Sequence, residues 1–267
     1  ALVISDFTVQ GGSVGRQAAA RIVQGVERAT GEGLPLLVAP RSGGTRLQEG
    51  TAAFLTMIPV AGAIHAHKTA GLPFLAYLRS PTTGGTLVSW AAGAHLVAAE
   101  PGAFIGLLGP KVHTALGNVP PARGVQRSET LLAAGLIDAI VHPRALRPMV
   151  LRALRALDCG QGGSEVTELS APRAARTAMP SVIRDAWQAI TVSRAPGRPG
   201  IRELLDHGTR QVLYLAGTPD HHRHGMVLAL AQFGATRTVV VGHNPHQRLD
   251  TTGFRLLERA QGLAANL

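Results

Sequence analysis

Ser42-Gly43-Gly44-Thr45-Arg46-Leu47-Gln48-Glu49-Gly50 (SGGTRLQEG) stands between a buried-looking run, Leu34 to Ala39 (LPLLVA), and an apolar-periodic run from Leu47 to Ala70. That spacing predicts a strand handing over to a long helix at this point. Two successive glycines let the main chain bend sharply and admit a ligand where a Cβ would block it. The helix start behind them offers unpaired N–H groups and favours negative charge, which suits an anion or a developing oxyanion. Taken alone, the stretch reads equally well as a plain turn.

Working outward, the same logic recurs. Gly71-Leu72-Pro73 ends the helix and Phe74 to Leu78 (FLAYL) reads as a short buried strand. Pro81-Thr82-Thr83-Gly84-Gly85 follows it, and then the small-residue run Thr86 to Gly93. Two glycine corners at the ends of successive parallel strands are placed to face one another across one crevice, where open α/β sheets bind ligands. Upstream, Leu2 to Val9 reads as a strand and Val14 to Ala29 as a helix; downstream, His95–Ala99 and Ala103–Leu107 read as strands around a Glu100-Pro101-Gly102 turn. Gly109-Pro110-Lys111 reads as a helix start, Gln126–Ala134 as a helix stopped by Gly135, Leu136–Val141 as a strand and Arg144–Leu157 as an Arg-rich amphipathic helix. Strand and helix alternating through short connections predict an α/β layer architecture.

Periodicity lapses from Asp158 to Pro180, which reads as a linker after a first unit of residues 1–157. Beyond it, Ala186–Ser193 and Gly200–His207 read as short helices, Gln211–Ala216, Met226–Phe233 and Thr236–Gly242 as strands, and Thr251–Leu267 as a helix. A crossover helix is expected to return to a strand, so residues 181–267 read as the beginning of a second domain that continues. The first residue, Ala1 rather than Met, reads the same way at the other end.

Composition narrows the chemistry. With 267 residues, 45% of them hydrophobic and 16% charged, the chain has material for a sizeable core. The net charge of +10 comes almost wholly from arginine, since Lys68 and Lys111 are the only lysines. That balance suits a phosphorylated ligand; nucleic acid is disfavoured because aromatics are 4% and no dense basic run occurs. A solvated Arg-rich surface explains the charge equally well. Cys159 is the single cysteine, which excludes an internal disulfide or a Cys-built zinc site and makes a reducing compartment the default. No apolar run reaches the ~18 residues of a membrane span.

Candidate catalytic side chains are few. Ser42 has no adjacent His, and Ser89 and His95 have no spacing that implies contact, so a nucleophile–base pair is not supported. Glu49 and Glu100 are the carboxylates available to a hydratase, but Glu49 also reads as a partner for a helix dipole and Glu100 as a turn residue. Arg46, Lys111 and Arg127 fall beside glycines or helix starts and are candidate contacts for phosphate or carboxylate, with solvated side chains as the alternative. His65 and His67 read as packing or surface residues, and the loop His221, His222 and His224 as surface; no metal set is expected.

The ordered blocks SGGTRLQEG, GLPFLAYLRSPTTGG, AAEPGAFIGLLGPKV and GVQRSETLLAAGLIDAIV, over residues 3–157, resemble the carboxyltransferase subunits of biotin-dependent acyl-CoA carboxylases, nearest to the β half. GRPGIRELLDHG, VLALAQFGATRTVVVGHN and GFRLLERAQGLAANL resemble the start of the α half. The resemblance implies a crotonase-like ββα-superhelix, one complete domain plus the beginning of a second. It implies a cytoplasmic, oligomeric enzyme that takes acetyl- or propionyl-CoA as substrate. Its partners would be a biotin carboxyl carrier protein, a biotin carboxylase and an α-like domain or second subunit. In that family's reaction carboxybiotin gives up CO₂, the biotin anion or its equivalent takes the acyl α-proton, and the enolate attacks CO₂; carried over by motif, Gly43, Gly44 and Thr45 would form one oxyanion corner and Thr83, Gly84 and Gly85 the other.

Three features depart from the family pattern. Thr45 and Leu47 stand where Ala and Met are usual, and the N-terminal four-cysteine zinc ribbon of bacterial β subunits has no counterpart in these residues. The α-like part has Gly217-Thr218-Pro219 and Gly242-His243-Asn244-Pro245 in place of the common patterns. Two further readings stand beside the carboxyltransferase: a non-catalytic scaffold of a carboxylase complex, and another crotonase-like hydratase or isomerase.

Overall fold

A computed structural model describes residues 1–109, 114–115, 117, 124–157, 185–193, 199–216, 225–234, 236–244 and 247–266. Strands β1 (Leu2–Ile4), β2 (Leu36–Ala39), β3 (Phe74–Leu78), β5 (Leu96–Ala99) and β7 (Ala139–Ile140) form a parallel five-stranded sheet in the order β1-β2-β3-β5-β7. Every residue of β3 and β5 is buried, as parallel strands covered on both faces require. Helices α1 (Arg16–Gly31), α3 (Met57–Thr69) and α4 (Gly85–Trp90) cover one face, meeting Leu36, Val38, Phe74, Ala76, Leu78, Val97 and Ala99.

The alternate residues Leu75, Tyr77, Leu96 and Ala98 point to the other face. The helix Leu146–Leu157 covers it together with β8 (Gln211–Leu215), β9 (Met226–Phe233) and the helix Thr251–Asn266. β9 is the middle of an antiparallel sheet, β10-β9-β8, with β10 at Thr236–His243. The residues read as a separate second unit thus supply half of the back-face core. The segment read as a linker, 158–180, lies outside the described residues.

A buried ion pair ties these layers together. Asp138 is 2% exposed, and its carboxylate accepts N–H groups from Val97 and Ala216, both at 2.7 Å. Arg259, from the last helix, grips both oxygens at 2.5 and 2.6 Å and donates also to His95 O at 3.2 Å. The bidentate fork fits the planar carboxylate, and the backbone donors satisfy its remaining lone pairs.

Several elements differ from their sequence reading for local reasons. The helix expected over Leu47–Ala70 is a 3-10 turn (Leu47–Glu49), then α2 (Gly50–Leu55), then α3, with a bend of 41° at Thr56. Thr56 Oγ1 bonds Ala53 O at 2.6 Å, and Pro59 in the first turn of α3 has no N–H to continue the ladder. The first strand stops at Ile4 because Asp6 Oδ1 accepts the N–H and hydroxyl of Thr8 in a local turn. The strands expected on either side of Glu100-Pro101-Gly102 do not pair with each other. β6 (Ile105–Gly106) instead runs parallel to β4 (Thr82–Thr83) in a separate small sheet. Among the described residues no single helix is long and apolar enough to cross a membrane.

Candidate functional site

β2 and β3 lie side by side and parallel, so the chain leaves both at the same edge of the sheet. The two exits then pair with each other: Ser42 N–H donates to Pro81 O at 2.7 Å and Thr83 N–H to Ser42 O at 3.0 Å. Inside the turn the Ser42 hydroxyl, fully buried, accepts Gly44 N–H at 3.0 Å and shares a hydrogen bond of 2.9 Å with Thr86 Oγ1. The sequence motifs named the glycines; these buried hydroxyls, which fix the corners to one another, carry no sequence signal beyond belonging to a small-residue run.

Accounting for the N–H groups separates the six corner residues. Gly43 donates to Gly11 O (2.9 Å), Gly44 to Ser42, Thr83 to Ser42 O and Gly84 to Gly106 O (3.0 Å). Thr45 and Gly85 are the two of the six whose N–H has no hydrogen-bond partner among the described residues. Thr45 is bridged to Val14 through its neighbours, Gly44 O and Arg46 N–H (both 2.9 Å), so its own N–H is turned to the opposite side. Gly85 is the first residue of α4, where an N–H has no intrahelical acceptor.

Both corners line one cavity of about 740 Å³, walled by Phe54, Met57, Ile58, Val88, Ser89 and Leu107 among others. That volume lies in the range of small-molecule sites, about 300–1,000 Å³. Its mouth is apolar and open, with Leu47 86% exposed and Ile58 68%. Two of the glycines, Gly44 and Gly85, are needed for space. Gly44 has φ +108°, and a Cβ on it would stand 3.3 Å from Thr83 O; a Cβ on Gly85 would stand 2.9 Å from Thr45 Oγ1 and 3.3 Å from Met57 Sδ.

No Asp or Glu lines this cavity among the described residues, and the sequence 110–123 contains none. Glu49 is used elsewhere: its carboxylate caps the helix before it, accepting Arg16 N–H at 2.8 Å, and pairs with Arg46 at 3.2 Å. The Arg16 N–H, with Arg46 behind it, holds Glu49 below the usual carboxylate range. The helix it complements is therefore α1 rather than its own. Glu100 accepts Ser80 N–H at 2.9 Å and lies 3.9 Å from Arg79. Ser89 donates to Gly85 O at 2.6 Å and touches Met57 Sδ at 3.3 Å, while His95 Nδ1 accepts Phe74 N–H at 3.1 Å; the two side chains make no bond to one another.

The cationic candidates divide. Arg46 spends its guanidinium on Ser13 Oγ (3.3 Å), Ser13 O (2.8 Å) and Glu49, and so braces the first corner. Arg127 is exposed, with one nitrogen on Gly102 O at 2.5 Å. Lys111 lies outside the described residues, as do His221, His222 and His224. His67 is buried against Thr30 Oγ1 at 2.9 Å, a packing role, and no group of metal-ligating side chains occurs among the described residues.

Residues 1–157 match the carboxyl transferase domain family. Over its whole length the chain is 47% identical to a probable biotin-dependent acyl-coenzyme A carboxylase beta3 subunit of Mycobacterium tuberculosis, covering 53% of that protein. It is 33% identical, over 99% of its length, to the acetyl-coenzyme A carboxylase carboxyl transferase subunits beta/alpha of Salinispora arenicola, covering 47% of that protein. The chain thus spans about half the length of these relatives. Among solved structures, 90% of the chain superposes on 46% of a transcarboxylase 12S chain with TM-score 0.67 at 20% identity, which shows a shared fold. A Pseudomonas malonate decarboxylase heterodimer matches 56% of the chain and 68% of its own, with TM-score 0.51 at 27% identity. The ordered glycine corners, the parallel sheet they leave and a family match over more than half of the chain agree, and the chain belongs to the carboxyl transferase domain family.

Proposed function

We propose that the cavity between the glycine corners holds the thioester carbonyl of a short acyl-CoA, acetyl- or propionyl-CoA, while its α-carbon takes a carboxyl group delivered on biotin. The observation that supports this reading is the pair of backbone donors, Thr45 and Gly85, that have no partner among the described residues and stand at the wall of an apolar cavity with no carboxylate in its described lining. Carboxybiotin, carried by a partner protein, supplies the carboxyl group when bound. The apolar lining fits a neutral thioester carbonyl, and the two backbone donors fit the charge that its oxygen gains.

The chain's own contribution is electrostatic. A fixed N–H aimed at an oxygen that gains charge in the transition state stabilises it by ~3–4 kcal/mol, without side-chain reorganisation. Apolar walls exclude water and strengthen that interaction. Arg46 keeps Thr45 in register through Ser13 and Glu49. Arg127 remains the candidate for a CoA phosphate, beside Gln126, whose side chain bonds Leu108 O at the cavity edge (2.8 Å). A hydratase needs a positioned acid or base, and Glu49 and Glu100 are both committed elsewhere.

The partners follow from the same reading: a biotin carboxyl carrier protein with its biotin carboxylase, and an α-like domain or second subunit over the exposed rim of Leu47, Phe54 and Ile58, in a cytoplasmic oligomer. Calorimetric titration with propionyl-CoA tests it. Saturable binding is expected, lost in Gly85→Val, with carboxylation by the complete enzyme complex reduced ~10²–10³-fold. Unaltered binding and turnover in a folded Gly85→Val protein overturn the assignment and favour a scaffold.

A further inference from the structure

On the back face of the molecule a second cavity, of about 300 Å³, opens between the helix Leu146–Leu157 and the β10-β9-β8 sheet. It shares no lining residue with the glycine cavity. Arg152 and Arg155 reach it from one face of the helix, three residues apart. The sheet register supplies the rest: Gln211 pairs with Gln232, and Gln232 with Arg237, so the three form one transverse row with side chains on the same face. The next row inward on that face, Leu213, Leu230 and Val239, belongs to the apolar back-face core. A floor of aliphatic side chains thus carries a polar rim of three guanidinium groups and two amides.

No carboxylate lines this cleft among the described residues. None of the four elements contains an Asp or Glu: LRPMVLRALRAL, QVLYL, MVLALAQF and TRTVVVGH. The side chains of Arg152, Arg155 and Arg237 make no hydrogen bond or ion pair among the described residues. All three are exposed at the rim of the cleft, whereas the partly buried Arg46 and Arg259 are matched by Glu49 and Asp138. Three like charges lining one cleft make its potential positive, which favours an anion there.

We propose that this cleft is an anion-binding site for a small phosphate-bearing ligand. Arginine's planar fork matches phosphate oxygens in pairs, and the amides of Gln211 and Gln232 add neutral donors beside it. The aliphatic floor accommodates an apolar portion of the same ligand.

Titration of the purified protein with inorganic pyrophosphate tests the site. One saturable site per chain is expected, weakened at least tenfold by Arg155→Gln or Arg237→Gln, further by the double variant, and by added salt. Gly85→Val leaves it unchanged, since the two cavities share no residue. Citrate, of similar charge, is expected to bind at least tenfold more weakly. No saturable binding, equal affinity for citrate, or undiminished affinity in a double variant whose circular dichroism and unfolding midpoint match the parent overturns the proposal.

Discussion

At the carboxyl edge of the sheet, Thr45 and Gly85 leave backbone N–H groups unspent beside an open cavity; behind the same sheet, Asp138 spends its two oxygens on Val97, Ala216 and both ends of the Arg259 fork. The described lining of the cavity carries no charge, and the clasp is a charge pair whose carboxylate side chain is 1% exposed and whose guanidinium side chain is 22% exposed. The difference is what each region must do. Donors proposed here for a transient oxygen have to be held in place without being satisfied, whereas a buried carboxylate without full satisfaction would destabilise the fold. Rigidity at the first site is therefore supplied by the neighbours of the donors, Gly44, Ser42 and Gly84, whose own N–H groups are all bonded or whose hydroxyl closes the turn.

The largest effect is expected from breaking the clasp. Asp138→Ala leaves the partly buried Arg259 without its partner and strips acceptors from two buried backbone N–H groups, which together cost ~3–5 kcal/mol. Urea unfolding reads this as a lower midpoint. Combining Asp138→Leu with Arg259→Met removes both charges and is expected to recover most of the loss. If Asp138→Ala unfolds like the parent, the clasp does not join the two layers.

Acid strikes the same region from beside it. His95 is 2% exposed; burial, with Lys68, His67 and Arg259 nearby, pushes its imidazolium down from 6.5 to about 4. The unfolded chain therefore binds the proton first as pH falls. Stability from this group is complete above about pH 6.5 and declines between 6.5 and 4, by about 3 kcal/mol at ~1.36 kcal/mol per unit. Protonation at Nδ1 would also break its bond from Phe74 N–H. His95→Gln, which keeps an acceptor, is expected to flatten that slope in unfolding curves measured across this range.

These contrasts explain what was legible in the sequence. Strands β2, β3 and β5 announce themselves as short apolar runs bounded by glycine and proline, and the two glycine corners follow from their spacing. The Asp138–Arg259 pair is 121 residues apart and joins elements read as separate units, so no local pattern signals it. The break at Thr56 was hidden because α2 and α3 continue one apolar periodicity while a threonine hydroxyl and Pro59 end the ladder. Which of six corner residues keep a free N–H is decided by pairings with Gly11, Ser42 and Gly106, most of them between residues far apart in the sequence, that spacing alone does not reveal.

At the corner itself the stability cost is expected to be smaller and the functional cost larger. Gly44→Ala places a Cβ at φ +108° and 3.3 Å from Thr83 O. The backbone strain is ~1–2 kcal/mol. Because Thr45 follows directly, turnover should fall by more than the loss of folded protein accounts for. A turnover loss that merely tracks stability would make Gly44 structural only.

The smallest single effect isolates backbone from side-chain chemistry. Thr45→Ala removes the hydroxyl and methyl but keeps the N–H, so stability and turnover are expected to stay within about 0.5 kcal/mol of the parent. The same change clears space, because Thr45 Oγ1 is the atom nearest to a Cβ on Gly85, at 2.9 Å. Gly85→Ala alone is expected to displace its N–H and depress turnover; in the Thr45→Ala background the added methyl needs to move only Met57, whose Sδ lies at 3.3 Å on a flexible stem. The double variant should therefore outperform the product of the singles, a coupling of ~1 kcal/mol in a double-mutant cycle. A hydroxyl acting in the chemistry predicts the reverse: Thr45→Ala would be costly by itself, and Thr45→Ser would restore what Thr45→Ala loses.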